Sequence, residues 1–366
     1  MGIYIGLMSG TSVDSVDSVV VDFIENNVKI INKKSYPIKD DLKNRIFSSV
    51  YKESIKQKEI KLLDKELGEL FGRAAKEIIQ DSSLSLEDIK AIGSHGQTIK
   101  HSPEGPKPFS LQVGSAMEIT KITGIKTVTN FREADVKAGG QGAPLSPLFH
   151  EALFKMKDIS KGVVINIGGI SNLSNINLKI NQVTAYDSGP GNCLMDAWSK
   201  RHLSKNFDQG GAWASKGKYN EKLLNIMLED SFFHTKNPKS TGTEYFNLEW
   251  LEKRLKELSE DISNEDTQAT LCELTAKSIF NELVKTNSLN KKIYICGGGI
   301  HNKFLIKRLD LLIEGRTLST ESLGIDPDYM EAICFAWLAK QRLKNREFDL
   351  SSITGSTRRV ILGEIS

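Results

Sequence analysis

The same order of β-rich runs occurs twice in this chain, and the repetition limits the folds that it can adopt. The first set comprises residues 3–7, 18–24 and 28–36, and the second comprises residues 162–167, 173–178 and 183–186. Each run is rich in β-branched and aliphatic residues, and polar turn residues separate it from the next. Helical and β-rich segments alternate after each set. We therefore predict two related α/β domains, each led by a three-stranded meander.

Helical periodicity fills the segments between and after the meanders. Apolar side chains recur at steps of three and four along residues 56–80, 194–202, 221–228, 249–258, 267–284, 302–312 and 330–343. Short β-rich runs lie among these segments, at residues 89–93, 125–128 and 292–296. The alternation predicts a layered α/β architecture.

The length of 366 residues agrees with two domains of about 150 residues each. We expect the division near residues 131–149, where the glycine-rich run 139–142 stands. On this basis the N-terminal lobe spans residues 1–133, with residues 345–366 returning to it, and the C-terminal lobe spans residues 134–344.

Charge and hydropathy argue against two classes of protein. The 49 basic and 46 acidic residues give a net charge of +3, with both signs interspersed, so we expect no nucleic-acid partner. No run reaches the roughly 18 apolar residues of a membrane span, and no basic and then apolar signal opens the chain. We therefore expect a cytoplasmic protein without a membrane partner.

The four cysteines form no metal-binding or redox motif. The closest two in sequence are Cys272 and Cys296, so the CxxC spacing is absent. We expect buried thiols and no metal site built from them.

A polar loop joins the first two predicted strands and offers hydroxyl and backbone N–H groups that suit phosphate oxygens. Its residues are Gly10, Thr11, Ser12, Val13, Asp14, Ser15, Val16 and Asp17. The lysine of a P-loop is absent from it. A polar hairpin turn is the alternative interpretation.

Two further glycine loops follow predicted strands. One contains Gly168 and Gly169, and the other contains Gly297, Gly298 and Gly299 before a helix. Glycine allows a ligand to approach the backbone closely and exposes the helix N-terminus to it. Together the three loops predict a nucleotide held between the two lobes, rather than three unrelated turns.

Two acidic residues are candidates for chemistry. Asp187 ends the last strand of the second meander, at the sheet edge where open α/β folds bind ligands. Its carboxylate can act as a general base, or it can cap the following helix. Glu331 lies in an apolar helical pattern, where an inward carboxylate needs a partner and an outward one is ordinary surface.

Polar residues in two other segments can hydrogen-bond a hydroxyl-rich ligand. His95 and Gln97 follow the run 89–93, and Gln141 lies in the glycine-rich segment 139–144. The alternatives are a plain turn for the first segment and a hinge for the second.

The ordered set of these motifs resembles the anhydro-N-acetylmuramic acid kinase family from about residue 3 to the end of the chain. The matching segments are MSGTS at 8–12, GSHGQT at 93–98, GGQGAPL at 139–145, NIGGISNL at 166–173, YDSGPGN at 186–192, KSTG at 239–242 and CGGG at 296–299. A single motif of this kind would be chance, whereas the ordered set is specific.

The resemblance implies the actin-like ATPase fold, with two related ribonuclease H-like lobes and a nucleotide cleft between them. It also implies a homodimeric cytoplasmic kinase of peptidoglycan recycling. Such a kinase converts 1,6-anhydro-N-acetylmuramic acid, water and ATP into N-acetylmuramic acid 6-phosphate and ADP, with Mg²⁺ required.

The resemblance also assigns roles to residues at matching positions. By this resemblance, Asp187 is expected to be the base that deprotonates the water, and Glu331 is expected to help hold that water. The loop from Gly10 to Asp17 and the pair Gly168 and Gly169 bind the phosphates, and the glycines from Gly297 to Gly299 flank the adenosine. The residues expected to contact the sugar are His95, Gln97, Arg132 and Gln141.

This chain departs from the family pattern at two positions. Ser15 stands where the first loop usually has glycine, and a positive φ there would be strained by about 1 kcal/mol or more, which bears on ATP affinity and not on the fold. Ser115 stands where the family commonly has an acid, so the departure affects one candidate substrate contact.

Two rival functions remain open at this point. An actin-like regulator or chaperone would carry an additional DNA-binding or substrate-binding module, and we expect none in 366 residues. A kinase acting on an ordinary sugar hydroxyl would use Asp187 to deprotonate the sugar directly, and its product would differ.

Overall fold

The computed structural model describes residues 2–25, 27–52, 55–103, 105–237 and 239–366. The chain divides into two compact units. The first contains the residues up to Asp158 together with Tyr329–Ser366, and the second contains Ile159–Asp328. The observed division therefore differs from the expected boundaries after residues 133 and 344.

The N-terminal part of the first unit alternates strands and helices. Its elements are β1 (Ile3–Met8), β2 (Ser15–Ile24), β3 (Asn27–Pro37), α1 (Asp40–Tyr51), α2 (Gln57–Asp81), β4 (Ile89–Ser94), β5 (Gln97–Ser102), β6 (Phe109–Val113), α3 (Ala116–Thr123), β7 (Thr127–Thr129), α4 (Glu133–Lys137) and α5 (Ser146–Met156).

The second unit follows, and the chain then returns to the first. The elements of the second unit are β8 (Lys161–Ile167), β9 (Ile170–Asn177), β10 (Gln182–Pro190), α6 (Cys193–Leu203), α7 (Glu221–Leu228), α8 (Ser231–His234), α9 (Leu248–Glu257), α10 (Asn264–Lys285), β11 (Lys292–Cys296), α11 (Lys303–Ile313) and β12 (Thr317–Ser319). The returning elements are α12 (Met330–Leu343), β13 (Glu347–Phe348), β14 (Val360–Ile361) and β15 (Glu364–Ile365). Short 3₁₀ helices lie at Leu86–Asp88, Leu178–Ile180, Gln209–Gly211, Ala214–Lys216, Gly298–His301 and Thr320–Leu323.

The main sheets of the two units share one topology. The order in the first unit is β15-β7-β4-β1-β2-β3, and the order in the second is β10-β9-β8-β11-β12. In each unit the first three strands form an antiparallel meander, and the fourth lies parallel to the first on its other side. The expectation of two related α/β units, each led by a meander, is confirmed.

Helix α12 packs directly on the sheet of the first unit, because glycines remove the side chains between them. A Cβ atom on Gly6 in β1 would lie 1.8 Å from the carbonyl oxygen of Ala332, and one on Gly93 in β4 would lie 2.1 Å from that of Phe335. This close approach fixes the first turn of α12, which carries Glu331, beside the carboxyl end of β1. Helix α5 also belongs to this unit, since the Phe149 and Trp337 rings lie 5.9 Å apart.

Apolar stripes on the long helices form the core of each unit. In α2 the buried side chains include Leu63, Leu67 and Phe71, which cluster with Ile5 and Ile92 of the sheet. Burying each side chain of this size contributes about 1.5–3 kcal/mol. In the second unit, α10 and α11 supply a corresponding cluster against β8 and β11. These cores hold the strand ends from which the candidate functional loops emerge.

Candidate active site

The first polar loop connects β1 to β2 and is built from short-range contacts. The amide of Val13 donates to the carbonyl of Gly10 at 3.2 Å, while Thr11 and Ser12 are exposed. A Cβ atom on Gly10 would meet no atom of the described residues within 4 Å, so the space beside it is open. Further along the loop, Asp14 forms an ion pair with Lys43. The loop therefore presents small and polar residues to open space, as phosphate binding requires.

The expectation of a strained Ser15 is wrong. Ser15 is the first residue of β2, and its hydroxyl donates to Oδ1 of Asp17 at 3.1 Å. The residue with positive φ is Val13, at 53°, which is rare for a β-branched side chain. Because the Val13 side chain is only 1% exposed, burial holds it in this conformation. A serine at position 15 is therefore compatible with the observed loop.

Asp17 lies near the start of β2, opposite Ser35 of β3. Its Oδ1 atom also accepts a hydrogen bond from the hydroxyl of Ser35 at 2.6 Å, and Ser35 lies 3.1 Å from the hydroxyl of Tyr329. These contacts fix the end of the first loop to the start of α12.

The second glycine loop, Gly168 and Gly169, is attached to the beginning of α6. The carbonyl of Gly168 accepts the amide of Asn192 at 2.8 Å, and the carbonyl of Gly169 accepts the amides of Gly191 at 2.8 Å and Cys193 at 3.1 Å. The Asn192 side chain also donates to Gly168, at 3.1 Å. With its carbonyls bound in this way, the turn is held against the helix.

The third glycine loop begins a 3₁₀ turn rather than the α-helix itself. Gly297 has a φ of 81°, and a Cβ atom there would lie 2.2 Å from Oδ1 of Asn166 in β8. A Cβ atom on Gly299 would lie 2.3 Å from Ile167, whereas one on Gly298 would meet nothing within 4 Å in the part of the chain that the structure describes. Two of the glycines therefore allow close packing on β8, and Gly298 faces open space.

Asp187 is not a helix cap, because its carboxylate is held by a distant segment. The residue preceding α6 is Asn192, whereas Oδ2 of Asp187 accepts the amide of Thr241 at 2.8 Å and the hydroxyl of Ser240 at 3.2 Å. The Asp187 amide in turn donates to the carbonyl of Lys239 at 2.9 Å. These three contacts define the conformation of Asp187 within β10.

The pKa of Asp187 is raised to about 6. Burial is the largest cause, and the hydrogen bonds from Thr241 and Ser240 oppose it. A carboxylate in this state is mainly ionised at neutral pH, yet it binds a proton more strongly than an ordinary aspartate. Both hydrogen bonds fall on Oδ2, so Oδ1 is the oxygen suited to accept a proton.

Glu331 faces inward from the first turn of α12 and is not ordinary surface. Burial raises its pKa, the charge of Arg132 lowers it, and the charge of Asp17 raises it. The structure therefore groups Glu331 with Arg132 and the end of the first loop within one unit.

Arg132 and His95 form a directly bonded pair. Nε of Arg132 donates to Nε2 of His95 at 3.0 Å, and Nη1 of Arg132 donates to the carbonyl of Gly142 at 2.7 Å. The other ring nitrogen of His95 lies 2.9 Å from the carbonyl of Gly96. Burial and the charge of Arg132 hold the pKa of His95 well below its usual range. His95 is therefore neutral, with its proton on Nδ1 and its second nitrogen already used by Arg132.

Gln97 carries a buried acceptor without a protein partner among the described residues. Its Nε2 atom donates to the carbonyl of Thr98 at 3.3 Å, whereas Oε1 has no hydrogen bond. Oγ of Ser9, after β1, and Oγ of Ser94, at the end of β4, are buried and unbonded in the same way. Unsatisfied buried groups are unfavourable, so polar groups of a ligand or water would stabilise this part of the unit.

Gln141 is held in place by a carboxylate that the motifs did not single out. The fully buried Asp135 accepts the amide of Gly142 at 2.7 Å and the hydroxyl of Thr354 at 2.7 Å, and the Gln141 amide donates to the carbonyl of Thr354 at 2.9 Å. A Cβ atom on Gly140 would lie 2.4 Å from this carboxylate. Asp135 therefore shapes the loop that presents Gln141. No sequence signal set this acid apart, because its burial and its bond to Thr354 arise only in the fold.

Ser115 serves a structural role. Its side chain caps α3 by accepting the amide of Glu118 at 3.4 Å, and its amide donates to the carbonyl of Asp64 at 2.9 Å. Ser115 thus joins α3 to α2.

The described part of the chain contains no group of three or more His, Cys, Asp or Glu side chains that could hold a metal ion. Within the same ranges, none of the helices combines the length and apolar character that a membrane crossing requires.

Comparisons with known proteins agree over nearly the whole chain. The model of the family described as anhydro-N-acetylmuramic acid kinase matches residues 2–366. A protein of that name from Coxiella burnetii (strain Dugway 5J108-111) is 44% identical over 365 residues, which cover 99% of this chain and 96% of the relative. One from Vibrio parahaemolyticus is 43% identical over 363 residues, covering 99% and 97%.

Among solved structures, the activator of the 2-hydroxyisocaproyl-CoA dehydratase from Clostridium difficile with bound ADPNP is 12% identical and has a TM-score of 0.45. That comparison covers 95% of this chain and 99% of the activator.

Proposed function

The chain belongs to the anhydro-N-acetylmuramic acid kinase family, as its motifs predict, and we propose that it converts 1,6-anhydro-N-acetylmuramic acid to N-acetylmuramic acid 6-phosphate. ATP is the phosphoryl donor of this reaction, and ADP is released. The family name supports a kinase of this sugar, and the state of Asp187 is the observation that supports the hydrolytic step. We place the reaction in the cytoplasm, in peptidoglycan recycling.

Ring opening and phosphoryl transfer are coupled in the proposed reaction. Water attacks C1 of the sugar while the bond from C1 to O6 breaks, and one proton of the water passes to Oδ1 of Asp187. The freed O6 takes the γ-phosphoryl group of ATP, and the proton is later released to solvent. With a pKa of about 6, Asp187 can accept that proton at neutral pH and release it again.

Asp187 is oriented for this role by its hydrogen bonds. Because the Thr241 amide and the Ser240 hydroxyl both bind Oδ2, the carboxylate cannot rotate freely. We assign to Glu331 a supporting role in holding the water, since it is an inward acid with a raised pKa.

The three glycine loops are proposed for ATP. In the first unit, the loop from Gly10 to Asp17 would bind the β- and γ-phosphates through its amides and hydroxyls. In the second unit, Gly168 and Gly169 would bind phosphate, and Gly298 would contact the adenosine, because the space beside it is open. Phosphoryl transfer depends mainly on such alignment and on charge neutralisation.

The sugar is proposed to bind in the first unit. Arg132 and Gln141 offer donors, and the unbonded Oε1 of Gln97 offers a buried acceptor for a sugar hydroxyl or amide N–H. His95 would act mainly through Arg132, because its Nε2 atom already accepts from that guanidinium.

Mg²⁺ is proposed to arrive with ATP. Mg²⁺ usually keeps several waters and binds through substrate phosphates with one or two carboxylates, so it does not need a full cage of side chains. The Asp17 carboxylate, which Ser15 and Ser35 hold at the end of the phosphate loop, is an oxygen ligand of the kind that Mg²⁺ binds. When bound, the ion would neutralise charge on the phosphates during transfer.

The decisive experiment uses purified protein with ATP, Mg²⁺ and the anhydro sugar in ¹⁸O-labelled water. We expect one ADP per sugar consumed and product that carries ¹⁸O at the anomeric position. Product incubated alone in the same water gives the background exchange. Phosphorylated sugar whose anhydro bridge is intact would instead indicate a kinase of an ordinary hydroxyl, and no ADP release would reject both.

We also propose a homodimer, as expected from the family resemblance. Light scattering after size-exclusion chromatography would test it, and a mass near 40.7 kDa at all concentrations would contradict it.

A further inference from the structure

Three consecutive residues hold the proposed base, and we call them the Asp187 clasp: Lys239, Ser240 and Thr241. The carbonyl of Lys239 accepts the Asp187 amide, and the other two residues donate to the Asp187 carboxylate at 3.2 and 2.8 Å. The clasp lies outside regular helices and strands, so its position depends on tertiary contacts.

A buried ion pair anchors the clasp to α10. Nζ of Lys239 donates to Oε1 of Glu282 at 2.9 Å, and the two side chains are only 2% and 3% exposed. The same ammonium donates to the carbonyl of Phe232 at 3.1 Å and lies 4.5 Å from the centre of its ring. The Lys239 end of the clasp is therefore bound both to α10 and to Phe232.

Glu282 is the centre of this anchor. Besides the bond from Lys239, it accepts hydrogen bonds from the side-chain Nδ2 of Asn237 at 3.0 Å and from Nζ of Lys285 at 2.9 Å. Burial alone would raise the pKa of Glu282, but the hydrogen bonds from Asn237, Lys285 and Lys239 bring it below its ordinary value. The carboxylate is thus ionised and fully bonded inside the unit.

An ion pair in such a place is poorly explained by stability alone. Removing two charges from water is unfavourable, and apolar side chains of similar volume often stabilise a fold as well or better. What the pair adds is a fixed position, because each charged partner tolerates few alternative arrangements. Since Ser240 and Thr241 directly follow Lys239 in the chain, fixing Lys239 also restricts where these two residues can lie.

We propose that Glu282 is a positioning residue for Asp187, acting through Lys239 to keep the Ser240 and Thr241 donors on the carboxylate. The proposal rests on the proposed function, in which Asp187 is the base. Glu282 itself does not touch the substrate, so its loss should affect the chemical step rather than nucleotide binding.

The kinetic test compares Glu282→Gln with Glu273→Gln. Glu273 also lies on α10 and is itself buried; it pairs with the partly exposed Arg308 at 2.6 and 3.1 Å, and none of its hydrogen bonds among the described residues reaches the clasp. We expect Glu282→Gln to lower kcat by about 10- to 100-fold, as for other residues that orient a reacting group, with the KM for ATP within about twofold. The Glu273→Gln variant should keep its kcat. Equal kcat values in the two variants would overturn the proposal.

A second pair of variants separates positioning from general loosening. Lys239→Met removes the other partner of the anchor and should reproduce the kcat loss. In an Asp187→Asn background, Glu282→Gln should cost almost no further activity, because its effect passes through Asp187. If kcat of the double variant falls by the product of the two single-variant losses, the proposal is overturned.

Hydrogen exchange tests the anchor without any reaction. In Glu282→Gln, peptides that cover residues 239–246 should exchange faster than in the unmodified chain, and they should be unchanged in Glu273→Gln. Unchanged exchange in Glu282→Gln would overturn the proposal even if activity falls. An unmodified chain that is inactive on the anhydro sugar would reject the proposed function, and the exchange result would still decide whether Glu282 holds the clasp.

Discussion

Nε of Arg132 lies 3.0 Å from Nε2 of His95, and this contact determines the state of the imidazole. Because a guanidinium only donates, Nε2 must be the unprotonated nitrogen, and Nδ1 then donates to the carbonyl of Gly96. Burial and the neighbouring positive charge disfavour a second proton. The histidine therefore orients Arg132 and is not available as a general acid at neutral pH.

Replacing His95 should impair sugar binding more than ATP binding. In His95→Leu, Arg132 loses its acceptor and its orientation, so we expect the KM for the anhydro sugar to rise at least about tenfold, with little change for ATP. Steady-state kinetics with each substrate varied in turn would measure this. His234→Gln is the control, because His234 is exposed and lies in α8 of the other unit. An equal rise in both KM values would contradict the role assigned to His95.

Asp187→Asn should remove the base and preserve the fold. The amide side chain can still accept from Thr241 through its oxygen, so we expect kcat to fall at least about 100-fold while ATP affinity stays nearly the same. Coupled ADP assays and calorimetric titration with a non-hydrolysable ATP analogue would measure the two quantities. Near-normal turnover would show that Asp187 is structural.

The pH dependence should report the raised pKa of Asp187. The base must be ionised to act, so kcat/KM should fall as the pH drops through about 6. An ordinary aspartate would place this fall about two pH units lower. The acid limb should disappear in Asp187→Asn, and its persistence in that variant would assign it to another group.

The strand meanders could be predicted because alternation and turn residues are local signals. The predicted run 18–24 lies inside β2, and β11 has the bounds that the periodicity gave. Helix α1 and the hairpin of β5 and β6 were missed, although α1 carries Leu42, Ile46 and Val50 at steps of four and β6 alternates apolar and polar residues as FSLQV. These patterns are only 12, 6 and 5 residues long, and so short a run does not by itself decide between helix, strand and turn.

Contacts within the site could not be predicted from spacing. Thr241 and Asp187 are separated by 54 positions, and Thr354 and Asp135 by 219, so only the fold brings them together. The motif KSTG marked residues 239–242 as part of a family pattern without indicating that they bind Asp187. Ser15 was also the wrong residue for the strained position. Burial of the Val13 side chain makes Val13 the residue of the loop that takes a positive φ.

Alanine should have different effects at two glycines of the first unit, lowering stability at Gly6 and weakening ATP binding at Gly10. In Gly6→Ala the new methyl group would meet the Ala332 carbonyl at 1.8 Å, and we expect a loss of at least about 3 kcal/mol in the free energy of unfolding. Gly10→Ala meets no atom within 4 Å, so it should leave stability unchanged and raise the KM for ATP. Denaturant unfolding and kinetics would measure both variants. A stable Gly6→Ala protein would show that α12 can move away from β1.

Acid should destabilise the first unit partly through His150, which is 1% exposed in α5. Burial lowers its pKa to about 3, so the folded state cannot take up the proton that an unfolded histidine binds below about pH 6.5. The stability that His150 contributes is therefore complete above about pH 6.5 and is lost as the pH falls towards 3, amounting to about 2 kcal/mol by pH 5. In His150→Leu the free energy of unfolding should differ less between pH 8 and pH 5, by about that amount. The exposed His234 provides the control, and an unchanged difference in His150→Leu would mean that the folded chain accommodates a charged His150.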